Sequence, residues 1–277
     1  MSSFRSARRY IVVALACSAL LGLLLGEAHA HDPNALWKIV SDQCVTHERS
    51  QGTPAPCEQV DLQPGAGFAV LKDRVGVAQY LLIPTKRISG VESLQLLTKG
   101  SPNYWAFAWG ARSAVEALLH RKLPRNEIAL AINSAYGRTQ NQLHIHVDCI
   151  CQDVLRRLRG RIPDIGPHWA PLGITLRGHP YWAMRVRGAD LGDSDPFKLL
   201  ARGLPQAREH MDRRTLVVVG ATFAHDAKGF ILLTDQVDPR AGDRASGEEL
   251  LDHTCAVAGR GGGYQKPGPF ERKSTPR

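Results

Sequence analysis

Residues 133–148 hold the densest set of groups able to do chemistry: Asn133, Gly137, Arg138, Thr139, Gln142, His144 and His146. Side chains alternate between faces along an extended strand. Gln142, His144 and His146 then share one face, and Leu143, Ile145 and Val147 share the other, where they can pack into a core. Asp148 follows and is read as facing away from His144. Two imidazoles and an amide on a rigid element, entered through a polar loop containing a glycine, suit an anionic centre. Such a loop can turn backbone N–H groups toward an anion, and Arg138 and Thr139 add a charged donor and a hydroxyl. Three chemistries fit. One neutral histidine attacks phosphorus while the loop holds the phosphoryl oxygens. Alternatively, His144 and His146 are two ligands of a zinc ion, with a third drawn from His168, His179 or His225. In the third reading both are hydrogen-bonded histidines on a solvated sheet face.

The elements that must position these groups can be read from periodicity. Residues 128–133 and 142–150 form a hairpin joined by the polar run 134–140. Upstream, 68–71 and 79–83 are apolar runs of strand length, separated by a turn at Lys72-Asp73-Arg74 and Gly76, and Pro84 stops the second. Ser101 and Pro102 read as the cap and first position of a helix. Tyr104, Ala108, Ala111, Val115 and Leu118 continue it at helical spacing. A short helix is expected over 34–44, loop over most of 155–180, a strand over 181–187, a helix over 196–211 and strands over 216–219 and 230–233. The order strand, helix, strand, strand thus occurs twice. The fold class is α+β, with an antiparallel sheet flanked by helices and two similar halves.

The chain has 277 residues and a formal net charge of +9, with 43% hydrophobic and 22% charged residues. This excludes wholesale disorder and a polytopic membrane protein. Residues 1–30 read as a signal peptide or a membrane signal anchor. Arg5, Arg8 and Arg9 precede an apolar run, and Ala28-His29-Ala30 offers a cleavage site. The catalytic domain is expected over 31–258, exported to the periplasmic side of a bacterial inner membrane and anchored there by its amino terminus, or released after Ala30. Residues 259–277, rich in glycine and lysine or arginine, read as a disordered basic tail. In an oxidising compartment most cysteines pair. Cys44 and Cys57 bracket a short loop, and Cys255 can reach Cys149 or Cys151. The basic residues lack the aromatic interleaving of a nucleic-acid surface. An acidic membrane surface accounts for the charge better.

The run 137–147, with its alternating His and apolar positions after a glycine and a hydroxyl residue, resembles the signature of the histidine triad superfamily of nucleotidyl hydrolases and transferases. Gln142, His144 and His146 occupy its three positions. Tyr80-Leu-Leu-Ile-Pro84 resembles that superfamily's strand before its helix. The stretches Leu130-Ala-Ile-Asn-Ser134, Gly137-Arg-Thr-Gln-Asn141, Leu176-Arg-Gly-His179, Ala207-Arg-Glu-His-Met211 and Leu251-Asp-His253 with Cys255 resemble a bacterial, membrane-associated branch, the CDP-diacylglycerol pyrophosphatases. The similarity spans about residues 36–257.

The resemblance implies a histidine-triad-like fold and hydrolysis of CDP-diacylglycerol to CMP and phosphatidate, with a lipid nucleotide in the membrane as substrate. His144 is then the nucleophile, forming a nucleotidyl-histidine, and His146 contacts the phosphate or helps protonate the leaving group. Asn133, Gly137, Arg138 and Thr139 hold phosphate oxygens or the ribose. Gln142 stands where the superfamily has its first histidine and can position but not exchange a proton. The scheme calls for no metal or other cofactor. Lys86 is a further candidate phosphate contact, and His179 a candidate lid or headgroup contact. His210 and His253 read as surface or capping histidines.

Overall fold

The computed structural model describes residues 32–259. The readings of residues 1–30 as a targeting segment and of the basic tail fall almost wholly outside these residues. Among the described residues no helix is long and apolar enough to cross a membrane.

The chain opens with a helical stretch. It comprises α1 (Ala35–Lys38), a π-wound segment (Ile39–Cys44) and α2 (Val45–Gln51), where one short helix ending at 44 was expected. Cys44 bonds to Cys57 and ties this stretch to the start of the sheet. The strands are β1 (Gln59–Asp61), β2 (Phe68–Lys72), β3 (Tyr80–Pro84), β4 (Ile128–Ile132), β5 (Ile145–Cys149), β6 (Ala170–Leu176), β7 (His179–Arg187), β8 (Leu216–Thr222) and β9 (Lys228–Thr234). They form one antiparallel sheet in the order β1-β2-β3-β5-β4-β8-β9-β7-β6. The α+β class with an antiparallel sheet is therefore present.

Central strands are covered on both faces, and their sequences show it. In β4 every residue is buried: Ile128, Leu130 and Ile132 join the larger core, while Ala129 and Ala131 face a second core on the other side. Helix α3 (Tyr104–Leu118) covers the larger core with Tyr104, Trp105, Ala108, Trp109, Ala111 and Val115. Its cap is Asn103, whose side chain accepts from the Ala106 N–H, and not Ser101. Helix α5 (Pro196–Gly203) packs Phe197, Leu200 and Ala201 into the same core. It is half the length that the apolar pattern suggested.

The expected loop over 155–180 is instead helix α4 (Gln152–Arg159) followed by the β6–β7 hairpin. The many arginines hid α4: they form its exposed side, while Val154, Leu155 and Leu158 are buried. Leu176-Arg177-Gly178-His179 is a two-residue hairpin turn. Arg177 and Gly178 both have positive φ, as a turn matched to strand twist requires. His179 is thus the first residue of β7.

Candidate functional site

The β4–β5 hairpin sets the two histidines. Leu143, Ile145, Val147 and Cys149 enter the larger core, so the even positions face the other way. His146 registers against Leu81 of β3 and Ala131 of β4. Leu81 belongs to the apolar cluster under the N-terminal helices and Ala131 to the second core. His146 therefore lies between two apolar clusters on one sheet face. Asp148 shares that face. The expectation that it turns away is corrected by the period of two itself, which keeps 144, 146 and 148 together.

Gln142 is fully buried and acts as a clamp. Its amide nitrogen donates to the carbonyls of Pro84 (3.1 Å) and Lys86 (3.0 Å), and its oxygen accepts from the Ile88 N–H (3.3 Å). The first triad position thus ties the histidine strand to the segment after β3. The backbone carbonyl of Gln142 meets Nδ1 of His144 at 2.7 Å. A carbonyl only accepts, so Nδ1 carries the proton and Nε2 keeps its lone pair. Burial, helped by the neighbouring His146, lowers the His144 pKa to about 4, so the ring is neutral near pH 7.

The His146 ring stands 5.0 Å from that of His144 in an edge-on contact. Both its nitrogens are buried without a hydrogen-bond partner, and Nδ1 lies 3.4 Å from Glu248 Oε1. Glu248 is the hub of the site. It accepts from Asn133 Nδ2 (3.1 Å) and Gln79 Nε2 (3.4 Å) and lies 3.5 Å from His253 Nε2. Burial pushes Glu248 up, but the histidines and these amide donors outweigh it and hold the carboxylate below its ordinary range. Burial also lowers His146. The nearby Glu248 carboxylate acts against that burial and pulls the pKa upward.

His253 is the unexpected member. Its Nδ1 lies 3.1 Å from Asp148 Oδ2, a hydrogen bond that raises its pKa. Burial raises Asp148 as well, so the pair keeps a proton to higher pH than either group alone. The Cys149–Cys255 bridge fixes this pairing, since it holds residues one step from Asp148 and two from His253. It also decides which partner Cys255 takes, leaving Cys151 free and buried. Read together with the parity of β5, that bridge is the sequence signal that would have brought His253 to the site. Glu248 had no comparable local signal.

The other expected residues form the walls. Asn133 accepts from Ser246 Oγ and the Glu248 N–H, both at 3.1 Å, and so holds the segment that carries Glu248. Gly137 donates its N–H to Ser134 Oγ and lies close enough to Arg244 and Ala245 that a Cβ would press on their carbonyls. Arg138 makes a two-pronged bond to Glu92 at 2.6 and 2.8 Å, and a Cβ at Gly90 would collide with its guanidinium. Thr139 and the side chain of Lys86 are exposed. His179 is not brought to the histidine pair. It bonds Glu249 at 2.9 Å, in a separate cluster.

With this geometry in place the comparisons are specific. Residues 31–259 match the CDP-diacylglycerol pyrophosphatase family. A CDP-diacylglycerol pyrophosphatase of Yersinia pestis is 44% identical over 250 residues, which covers 90% of this chain and 95% of the relative. The chain belongs to the CDP-diacylglycerol pyrophosphatase family. It is an enzyme, and the match spans every residue of the site just described, from Gln79 to His253.

Proposed function

We propose that this enzyme hydrolyses CDP-diacylglycerol to CMP and phosphatidate, with Nε2 of His144 attacking the cytidine-side phosphorus. One observation carries the mechanism: the Gln142 carbonyl fixes the His144 proton on Nδ1 and leaves Nε2 as a neutral nucleophile. The Nε2 lone pair forms the N–P bond. The bridging P–O bond breaks, and its electron pair leaves with phosphatidate. The positive charge gained by the ring is stabilised by the same carbonyl, which keeps accepting from Nδ1–H. Phosphatidate is a phosphate monoester and a good leaving group, so little acid assistance is required. Water then attacks phosphorus, the N–P electron pair returns to Nε2, and the water proton passes to the Glu248–His253 group or to solvent.

His146 is assigned to a phosphoryl oxygen, which would supply the hydrogen-bond partner its buried nitrogens lack. Thr139 and Lys86 are assigned to the substrate's phosphates. Asn133, Gly137, Arg138 and Gln142 hold the walls in place. The family reading also supports a histidine-triad-like duplicated fold. Strands β2-β3-β5-β4 and β6-β7-β9-β8 occur in matching order on either side of the β4–β8 pair, each with one helix between its hairpins. Two disulfides suit an exported domain, and residues 1–30 would keep it at the membrane that contains the substrate.

The test uses substrate labelled at the cytidine-side phosphate. Acid-labile label on the protein, lost in His144→Ala, together with equal release of CMP and phosphatidate, supports the reading. Release of products other than these two, or label on another residue, overturns it.

A further inference from the structure

Residue Glu249 points into a second group of titratable side chains that the hydrolytic scheme does not use. Its Oε1 lies 2.9 Å from His179 Nδ1 and 2.7 Å from the Tyr181 hydroxyl, which donates to it. Asp243 Oδ2 is 3.8 Å from the same His179 nitrogen. Asp235 completes the set: one ligand atom each from His179, Asp235 and Glu249 lie within 4.8 Å of one another. Asp235 and Asp243 are 4% and 3% exposed. Oδ1 of Asp235 accepts from the Gln236 N–H at 2.6 Å, but Oδ2 is buried with no hydrogen-bond partner.

A buried carboxylate oxygen without a donor is unfavourable. The neighbour that Asp235 does have, Asp243, is another carboxyl group. Nearby positive charge comes from His179, raised by Glu249 against the effect of burial, and from Arg214, whose charge acts on Asp235. Even so, Asp235 Oδ2 is left without a donor among three carboxyl groups and one imidazole. Of the four residues, Asp235 borders a cavity of about 770 Å³, which Tyr181, Arg214 and Trp182 also line, away from the histidine pair.

We propose that His179, Asp235, Asp243 and Glu249 form a binding site for one divalent cation, entered from the cavity beside Tyr181. One imidazole nitrogen with several carboxylate oxygens is a donor set suited to Mn²⁺ or Zn²⁺. Carboxylates and imidazole ligate in their deprotonated forms, so binding releases protons and strengthens as pH rises.

The experiment titrates the full-length, detergent-solubilised enzyme, stripped with chelator, with Mn²⁺ followed by electron paramagnetic resonance, and in parallel with Zn²⁺ by calorimetry in two buffers of different ionisation enthalpy. The expected result is one equivalent bound, proton release, and a Tm raised by roughly 5–10 °C at about a hundredfold excess over Kd. Asp235→Asn should lose that equivalent, while His144→Ala should keep it. Because Asp235→Asn removes only a charge, its Tm in chelator reports whether it still folds, and the wild-type proton release stands without any variant. Absence of binding by both ions at neutral pH overturns the proposal, leaving Asp235 and Asp243 to share a proton. Loss of the bound equivalent in His144→Ala also overturns it, by assigning the ion to the histidine pair.

Discussion

Glu248 and Glu249 are neighbours in the chain, yet they serve two clusters built on opposite principles. Around Glu248 the carboxylate is well supplied with donors, and the histidine beside it is left with unpartnered nitrogens. Around Glu249 the histidine and tyrosine are satisfied, and it is a carboxylate oxygen of Asp235 that is left over. The first arrangement produces a neutral His144 that can attack and a His146 whose nitrogens are open to an anion. The second leaves a buried carboxyl oxygen without a donor, where the cation is proposed to bind. The residue types are alike in the two places; hydrogen-bond supply decides what each can do.

The largest effect expected from breaking this contrast is at the nucleophile. His144→Ala should lower kcat by about 10⁴-fold or more, since removal of a nucleophile leaves only the contribution of binding and charge stabilisation. Steady-state release of CMP measures it, and near-wild-type turnover would end the assignment. Glu248→Gln keeps the shape of the hub but removes its charge. A fall in kcat of roughly 10–100-fold with little change in KM is expected, in line with loss of an acid–base group. An equal fall in Asp235→Asn would show that the two clusters act as one.

The pH profile sharpens the same comparison. His144 is held at about 4, so kcat should stay level as pH falls through the ordinary histidine range and drop only as pH approaches 4. An acid limb near 6.5 would contradict the buried, neutral nucleophile. His253→Gln preserves a donor toward Asp148 but cannot titrate. About a tenfold loss of kcat is expected.

The smallest effect concerns stability. Asp235 is raised in the folded chain, so the native state holds a proton that the unfolded state has released between about pH 4 and 8. Stability in chelator should therefore fall as pH rises through that window. Asp235→Asn should flatten this slope and be about 1–3 kcal/mol more stable at pH 8. Urea unfolding across pH checks both; a variant that is less stable at pH 8 would mean the oxygen is not in surplus.

Much of the first cluster could be read from the sequence because it is local. The alternation from Leu143 to Val147 settles which face each side chain takes, and β4 and β5 are consecutive in the chain, paired across the loop 133–144. What escaped was non-local or masked by composition. Glu248 and His253 reach the site through the Cys149–Cys255 bridge and the pairing of Ile150 with Leu251, across about a hundred residues. Gln142 was legible as a departure from the triad pattern, but its bonds to the carbonyls after β3 depend on a strand more than fifty residues earlier. Helix α4 was hidden by its arginines, and the short helix α5 was extended too far because apolar residues after Gly203 continue into the core without helical structure.

The central claim is that hydrolysis proceeds through a nucleotidyl-His144, and the stereochemical course at phosphorus tests it most directly. Substrate carrying a chiral phosphorothioate at the cytidine-side phosphorus is hydrolysed in ¹⁸O-labelled water, and the configuration of the CMP product is determined. Two successive displacements predict net retention, with the label in CMP. Inversion would mean that water attacks directly and would contradict the account.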